Sequence, residues 1–149
     1  MRNMLLMLTL SAVFTGAASA GTYTLKSGTW SFYEGLQIDA APQASARSSR
    51  SICVKPYETE ADESWFLDLA KPRANCSATV LSETPTQISA KFVCPQGNIT
   101  MNAPSTIRIY ENKITIDSKL NYDLPVSPMS MTQQKTVVFS SSACSGQSN

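Results

Sequence analysis

Apolar and polar residues alternate from Gly28 to Ile38, with Trp30, Phe32, Leu36 and Ile38 on one side and Glu34 interrupting it, which predicts a first strand. Asp39 to Arg50 is rich in Ala, Ser, Pro and Arg, lacks a period, and reads as a mobile connection. Ser51 to Lys55 carries Ile52 and Val54 around Cys53 and predicts a short second strand. The chain has one helical signal. Thr59-Glu60-Ala61-Asp62 resembles a capping box, and acidic residues crowd the first turn, where the helix dipole favours them. Pro72 follows the last turn. Ala61, Trp65 and Leu69, with Phe66 beside them, make a stripe at helical spacing. A helix of roughly ten residues is expected against a sheet, anchored by Trp65.

Downstream, Ser77 to Ser82 and Ile88 to Val93 are β-type runs separated by Glu83-Thr84-Pro85-Thr86-Gln87, a hairpin signal centred on Pro85. That centre sets Ala78 beside Phe92, Val80 beside Ala90 and Cys76 beside Cys94. Gly97 to Ala103 and Ile107 to Tyr110 read as strand interrupted at Pro104, where an edge or bulge is expected. A tight turn at Glu111-Asn112 pairs Ile109 with Ile114 and Ile107 with Ile116. Asp123 to Thr132 reads as a loop and Gln134 to Ser140 as a last strand. Hairpin spacing throughout predicts a mainly β fold: an antiparallel sheet or partly closed barrel of about seven strands, one short helix packed on it, and two disulfides.

The start of the chain changes the compartment. Arg2, an apolar run from Met4 to Phe14 and the small residues Gly16 to Ala20 form a secretory signal layout, and Ala18-Ser19-Ala20 is a small-x-small cleavage pattern. The apolar run is shorter than the ~20 residues a bilayer crossing needs. The expected organisation is a signal peptide over 1–20 and one β-rich domain over 21–149, periplasmic or secreted. No cysteine stands at Gly21 to carry a lipid. With Arg2 removed, the 12 Lys and Arg of the whole chain fall by one and equal its 11 Asp and Glu. Such a balanced domain has little to attract nucleic acid, and no later segment predicts membrane insertion.

Cys53, Cys76, Cys94 and Cys144 are an even set, and export favours their oxidation. The hairpin register places Cys76 opposite Cys94, which leaves Cys53 to join Cys144. No Cys-x-x-Cys spacing and no histidine support zinc, and the absence of histidine also removes Ser-His and Cys-His nucleophile pairs. Gly28-Thr29-Trp30 at the start of the domain, Ser51-Ile52-Cys53 before a short helix, the Cys76 to Cys94 hairpin and the terminal Cys144 together resemble a bacterial family of small secreted proteins with four cysteines and a Gly-x-Trp start, catalogued as a domain of unknown function. The resemblance covers nearly all of residues 28–144 and implies an exported bacterial protein without a known activity. That family commonly ends with Gly and Arg before its last Cys, where this chain has Ser140 to Ala143.

Several side-chain sets are candidates for chemistry. Glu58, Glu60, Asp62 and Glu63 offer the paired carboxylates that glycoside hydrolysis uses, and equally a helix start. Met101, Met129 and Met131 offer thioethers to Cu(I), and equally core filler. Asn75-Cys76-Ser77 and Asn98-Ile99-Thr100 match the glycosylation sequon, which matters only in a eukaryotic secretory route. Trp30, Phe32, Tyr33, Trp65, Phe66, Phe92, Tyr110 and Phe139 could line a pocket or fill a core. The reading that follows is a non-catalytic exported binding protein whose partner is an envelope component, a small apolar ligand or another protein. It has no cofactor and no catalytic residues. The alternative is a carboxylate-dependent hydrolase using the Glu58–Glu63 cluster.

Overall fold

The computed structural model describes residues 21–39 and 41–144, with side chains over 21–39 and 47–144; the expected signal peptide lies outside the described residues. In chain order the elements are β1 (Tyr23–Thr24), β2 (Gly28–Ile38), β3 (Ala41–Val54), a 3-10 turn (Pro56–Glu58), β4 (Glu60–Ala61), α1 (Glu63–Ala70), β5 (Ser77–Thr84), β6 (Gln87–Gln96), β7 (Ile99–Ile109), β8 (Lys113–Tyr122) and β9 (Met129–Ser141). Seven of the strands form one open antiparallel sheet in the order β3-β2-β9-β8-β7-β6-β5, and β1 pairs with β4 in a separate ribbon. Strands β5 to β9 are a meander, and β9 then lies beside β2, so the N-terminal hairpin β2–β3 extends the same sheet.

Register sends the apolar set to one face. Phe32 opposes Val137, Val137 opposes Ile114, and Ile114 opposes Ile109. In the next row Ile116, Ile107 and Ile88 follow one another across β8, β7 and β6. All of these side chains except the partly buried Ile109 are fully buried, and α1 with the β1–β4 ribbon covers them.

The helix is shorter than its sequence signal and turned differently. Asp62 is the N-cap, accepting from the Trp65 amide at 3.1 Å, while Glu60 and Ala61 are already spent in β4. Ala61 therefore cannot belong to a helical stripe. The buried line is Phe66 and Ala70, four residues apart, and Trp65 is a half-buried flank whose ring meets Phe66 edge-on at 5.0 Å. Phe66, not Trp65, is the anchor, and it also packs edge-on against Tyr23 at 4.9 Å.

Three strand expectations need correction. The segment Asp39 to Arg50, read as a mobile connection, lies almost wholly in β3, paired with β2 from Ala41 through Arg50 and on to Val54. Alternation reports one-sided burial. An edge strand such as β3 is held by its backbone ladder, and its side chains from Arg47 to Ser51 are exposed, so no alternation is required of it. Pro104 interrupts no strand. It sits inside β7, facing outward opposite Lys91, and the β7–β8 partners stop at Asn102↔Asn121 and resume at Ser105↔Ser118 without a change of register. A missing N–H thus removes part of one ladder in an interior strand, where an edge or bulge was expected. Finally, β9 begins at Met129, inside the segment read as a loop.

The hairpin register over Ala78↔Phe92 and Val80↔Ala90 is present, with a bulge at Leu81 before the turn. Disulfides join Cys76 to Cys94 and Cys53 to Cys144 across sequence separations of 18 and 91 residues. In the chain-entropy account each contributes on the order of 3 to 5 kcal/mol. To reach Cys53 the chain beyond β9 crosses Gly28 closely. A Cβ on Gly28 would lie 2.1 Å from the Ser141 carbonyl oxygen, and its φ of 136° disfavours other residues. Thr29 Oγ1 donates to the Ala143 carbonyl at 2.6 Å, and Trp30 Nε1 to the Lys26 carbonyl at 2.9 Å. The Gly28-Thr29-Trp30 triplet is thus the seat of the C-terminal crossing.

Burial separates the two helix aromatics experimentally. Phe66→Ala is expected to lower the unfolding free energy by about 3–5 kcal/mol and Trp65→Ala by clearly less, measured by urea denaturation with disulfides intact.

Candidate functional site

The structure disperses the acidic cluster. Glu58 Oε2 accepts from the Lys55 amide at 3.1 Å, closing the 3-10 turn, and Glu60 stands exposed in β4 opposite Thr24. Asp62 caps α1, and hydrogen bonds from the Ser64 hydroxyl and the Trp65 amide hold its carboxyl below the usual carboxylate range. Glu63 faces Glu83 of β5. Burial first, then Glu83, pushes the Glu63 carboxyl up. The expected hydrolytic pair would need two members of the cluster facing one another across a cleft, whereas Glu58 and Asp62 are engaged in capping and Glu63 looks toward another strand.

The other candidates scatter as well. Met101 is fully buried, Met131 half-buried and Met129 exposed. Among the described residues no three His, Cys, Asp or Glu side chains converge as a metal site. Trp30, Phe32, Phe66 and Phe92 are core residues, Phe139 and Trp65 pack at its margin, and Tyr33 and Tyr110 are exposed. The aromatic set is mainly packing. Tyr33 alone of the eight lines a hollow described below.

Beneath the helix, polar residues interrupt the apolar face. Lys135, 5 % exposed, donates from Nζ to the carbonyls of Leu69, Ala70 and Lys71 at 3.3, 3.2 and 3.0 Å, the last carbonyls of α1 and its cap. Burial pushes this ammonium down from its ordinary value and the nearby Arg50 adds to that, while Glu34 on β2 opposes it. Gln133 Nε2 donates to Glu34 Oε1 at 2.6 Å, and Ser105 and Ser118 share a buried hydroxyl contact at 2.7 Å. Gln133 Oε1 is buried without a partner. Apart from Gln133 Oε1, these groups satisfy the helix end and one another, which is structural work.

The opposite face of the sheet is open and polar, and it holds the candidate site. Tyr33 stands between Ser49 and Thr136, and Gly35 between Arg47 and Gln134. Lacking a side chain, Gly35 leaves a hollow of about 470 Å³ walled by Tyr33, Arg47, Ser49, Gln134 and Thr136. A second hollow of about 280 Å³ continues from Gly35, Arg47 and Gln134 toward Gln37, Asp39 and Thr132. The walls are braced from behind. Gln134 Nε2 donates to Asp117 Oδ1 at 3.4 Å, while Arg108 holds the other Asp117 oxygen at 2.8 Å. Asp39 accepts from the Ser130 and Thr132 hydroxyls at 2.8 Å each, which hold its carboxyl below the usual range, and Lys119 lies 3.6 Å away. Arg47 has no carboxylate within ion-pair distance among the described residues. The groove therefore presents a half-exposed phenol ring, the Arg47 guanidinium, amides and hydroxyls. That set can stack on a ring and hydrogen-bond its substituents.

Sequence reading missed Gly35, Arg47, Gln134 and Thr136. A glycine inside an alternating strand does signal a close approach or a notch. Arg47 fell in a stretch assigned to a connection, so nothing placed it beside Gly35.

Comparison with protein-family models, curated proteins and solved structures returned no match.

Replacing Lys135 by Met leaves three helix-end carbonyls without their donor and is expected to cost about 1–3 kcal/mol near neutral pH. Because the lysine's folded-state proton affinity is lowered, the unfolded chain binds more protons between that lowered value and the ordinary 10.5. The stability of wild type relative to Lys135→Met should accordingly rise with pH through that window, as followed by thermal melts in matched buffers.

Proposed function

We propose that this chain is a non-catalytic binding protein of an exported compartment that engages a saccharide component of the cell envelope through the groove at Gly35. The observation that carries the reading is the lining itself: an exposed aromatic ring beside an arginine that has no ion pair among the described residues, with braced amide and hydroxyl groups, on a sheet face that none of the described elements covers. Sugars offer apolar C–H faces to aromatic rings and hydroxyls to polar side chains. A small apolar ligand is less well served, because the buried aromatics are occupied in packing against one another and against the helix.

Two disulfides are consistent with an oxidising environment outside the cytosol. The narrower placement, periplasmic or secreted by way of a cleaved signal peptide, rests on the leader pattern over 1–20. Kinship with the secreted four-cysteine family belongs to the same proposal. What supports it is the Gly28-Thr29-Trp30 start and the position of the four cysteines.

Isothermal titration with neutral and acidic oligosaccharides released from bacterial envelope glycans, combined with amide chemical-shift mapping, tests the proposal. Shifts should centre on Tyr33, Gly35, Gln134 and Thr136. Tyr33→Ala should weaken binding about tenfold or more, equivalent to about 1.4 kcal/mol. Gly35→Val fills the hollow, and because the nearest atom to its Cβ position is 4.0 Å away the fold should tolerate it. Arg47→Ala should affect acidic ligands more than neutral ones. Binding that ignores all three substitutions, or shifts confined to other faces, would exclude this site.

A further inference from the structure

Gly21 lies beside a group of carboxylates. The Gly21 nitrogen donates to Glu83 Oε1 at 3.2 Å, and Tyr23 Oη donates to the same oxygen at 2.8 Å. Glu63 and Asp62, at the start of α1, complete the group. Among the described residues neither Glu63 nor Glu83 has a cation within 4 Å. Two partly buried carboxylates thus face one another with hydrogen-bond donors and no positive charge among the described residues, beside Gly21, which directly follows Ala18-Ser19-Ala20.

We propose that hydrolysis of the Ala20–Gly21 peptide bond supplies the missing cation: the new Gly21 ammonium docks on the Glu63–Glu83 pair and ties β1 to β5 and to the start of α1. Water adds its hydroxyl to the Ala20 carbonyl carbon and a proton to the Gly21 nitrogen, an export protease being the catalyst, and the amine takes a further proton from solvent. The donor already in place becomes a charged one, and a charge-assisted hydrogen bond is about twice as strong as a neutral one. Export and folding are thereby linked.

Before cleavage, burial and Glu83 raise the Glu63 proton affinity. A raised carboxyl stabilises the fold below its ordinary value of 4.5, and that stability is lost as pH rises through the raised value. The groups facing Glu63 are Glu83 from β5, Asp62 from its own helix start and, beside Glu83, Tyr23 from β1, whose hydroxyl burial and both glutamates keep protonated. An ammonium at Gly21 removes the need for the extra proton.

The test uses the chain as exported, compared with the same preparation selectively acetylated at its α-amine, in thermal melts from pH 4 to 8. The exported form should hold its melting temperature through pH 5–7, whereas the acetylated form should lose stability as pH rises. Glu83→Gln should erase the difference, and Glu63→Gln serves if that variant does not fold. NMR titration should show the Gly21 amine holding its proton about tenfold more tightly than the ordinary range near ~7.8. Superimposable pH profiles, an amine titrating in the ordinary range, or mass mapping that finds a different first residue would each overturn the proposal.

Discussion

A helix of eight residues is too short to be stable alone, and here the sheet beneath it supplies what its own length cannot. The decisive contact is Lys135. From the face of β9 its ammonium reaches the last carbonyls of α1, groups that would otherwise be buried without donors. At the other end Asp62 caps the first turn and Glu63 turns toward Glu83 on β5. Carboxylates meet the positive end of the helix dipole and a lysine meets the negative end, so the helix is pinned across the sheet from β5 to β9. Phe66 and Ala70 then seal the apolar face.

Once one face is closed in this way, none of the described elements covers the other. Its Thr, Ser, Gln and charged positions need no cover, and the notch at Gly35 becomes the place where a ligand could lie flat against the strands. The two faces differ in how their polar groups are used. Beneath the helix, Lys135, Gln133 and Glu34 hold structure together, whereas around Gly35 the bracing of Gln134 and Asp39 leaves Tyr33 and Arg47 directed to no partner among the described ion pairs and ring contacts.

Legibility in the sequence followed burial. The Ile107–Ile116 hairpin and the Cys76–Cys94 hairpin were readable because one-sided burial imposes a period of two and turn residues set the centre. The edge strand β3 was not, since exposed side chains carry no period and its backbone pairing leaves no mark in composition. The helix was found but its anchor was misplaced by one residue, because β4 consumed Ala61 and shifted the start to Glu63. Of the site, only Tyr33 was named in advance. Arg47 and Gln134 become neighbours of Gly35 through two strand pairings, one of which joins residues about a hundred positions apart.

By itself, then, the amino-acid order determined the class of fold, the strands with a buried side, the existence of one helix and the means of stapling the domain, all of which are local consequences of side-chain period, turn chemistry and cysteine placement. Tertiary structure alone decided which strands lie side by side beyond those two hairpins, that Lys135 serves the helix end, that Glu63 meets Glu83, and that a glycine opposite an arginine makes a groove. Those outcomes depend on long-range register, and register is set by how the whole sheet buries one face, a quantity that no short stretch of chain contains.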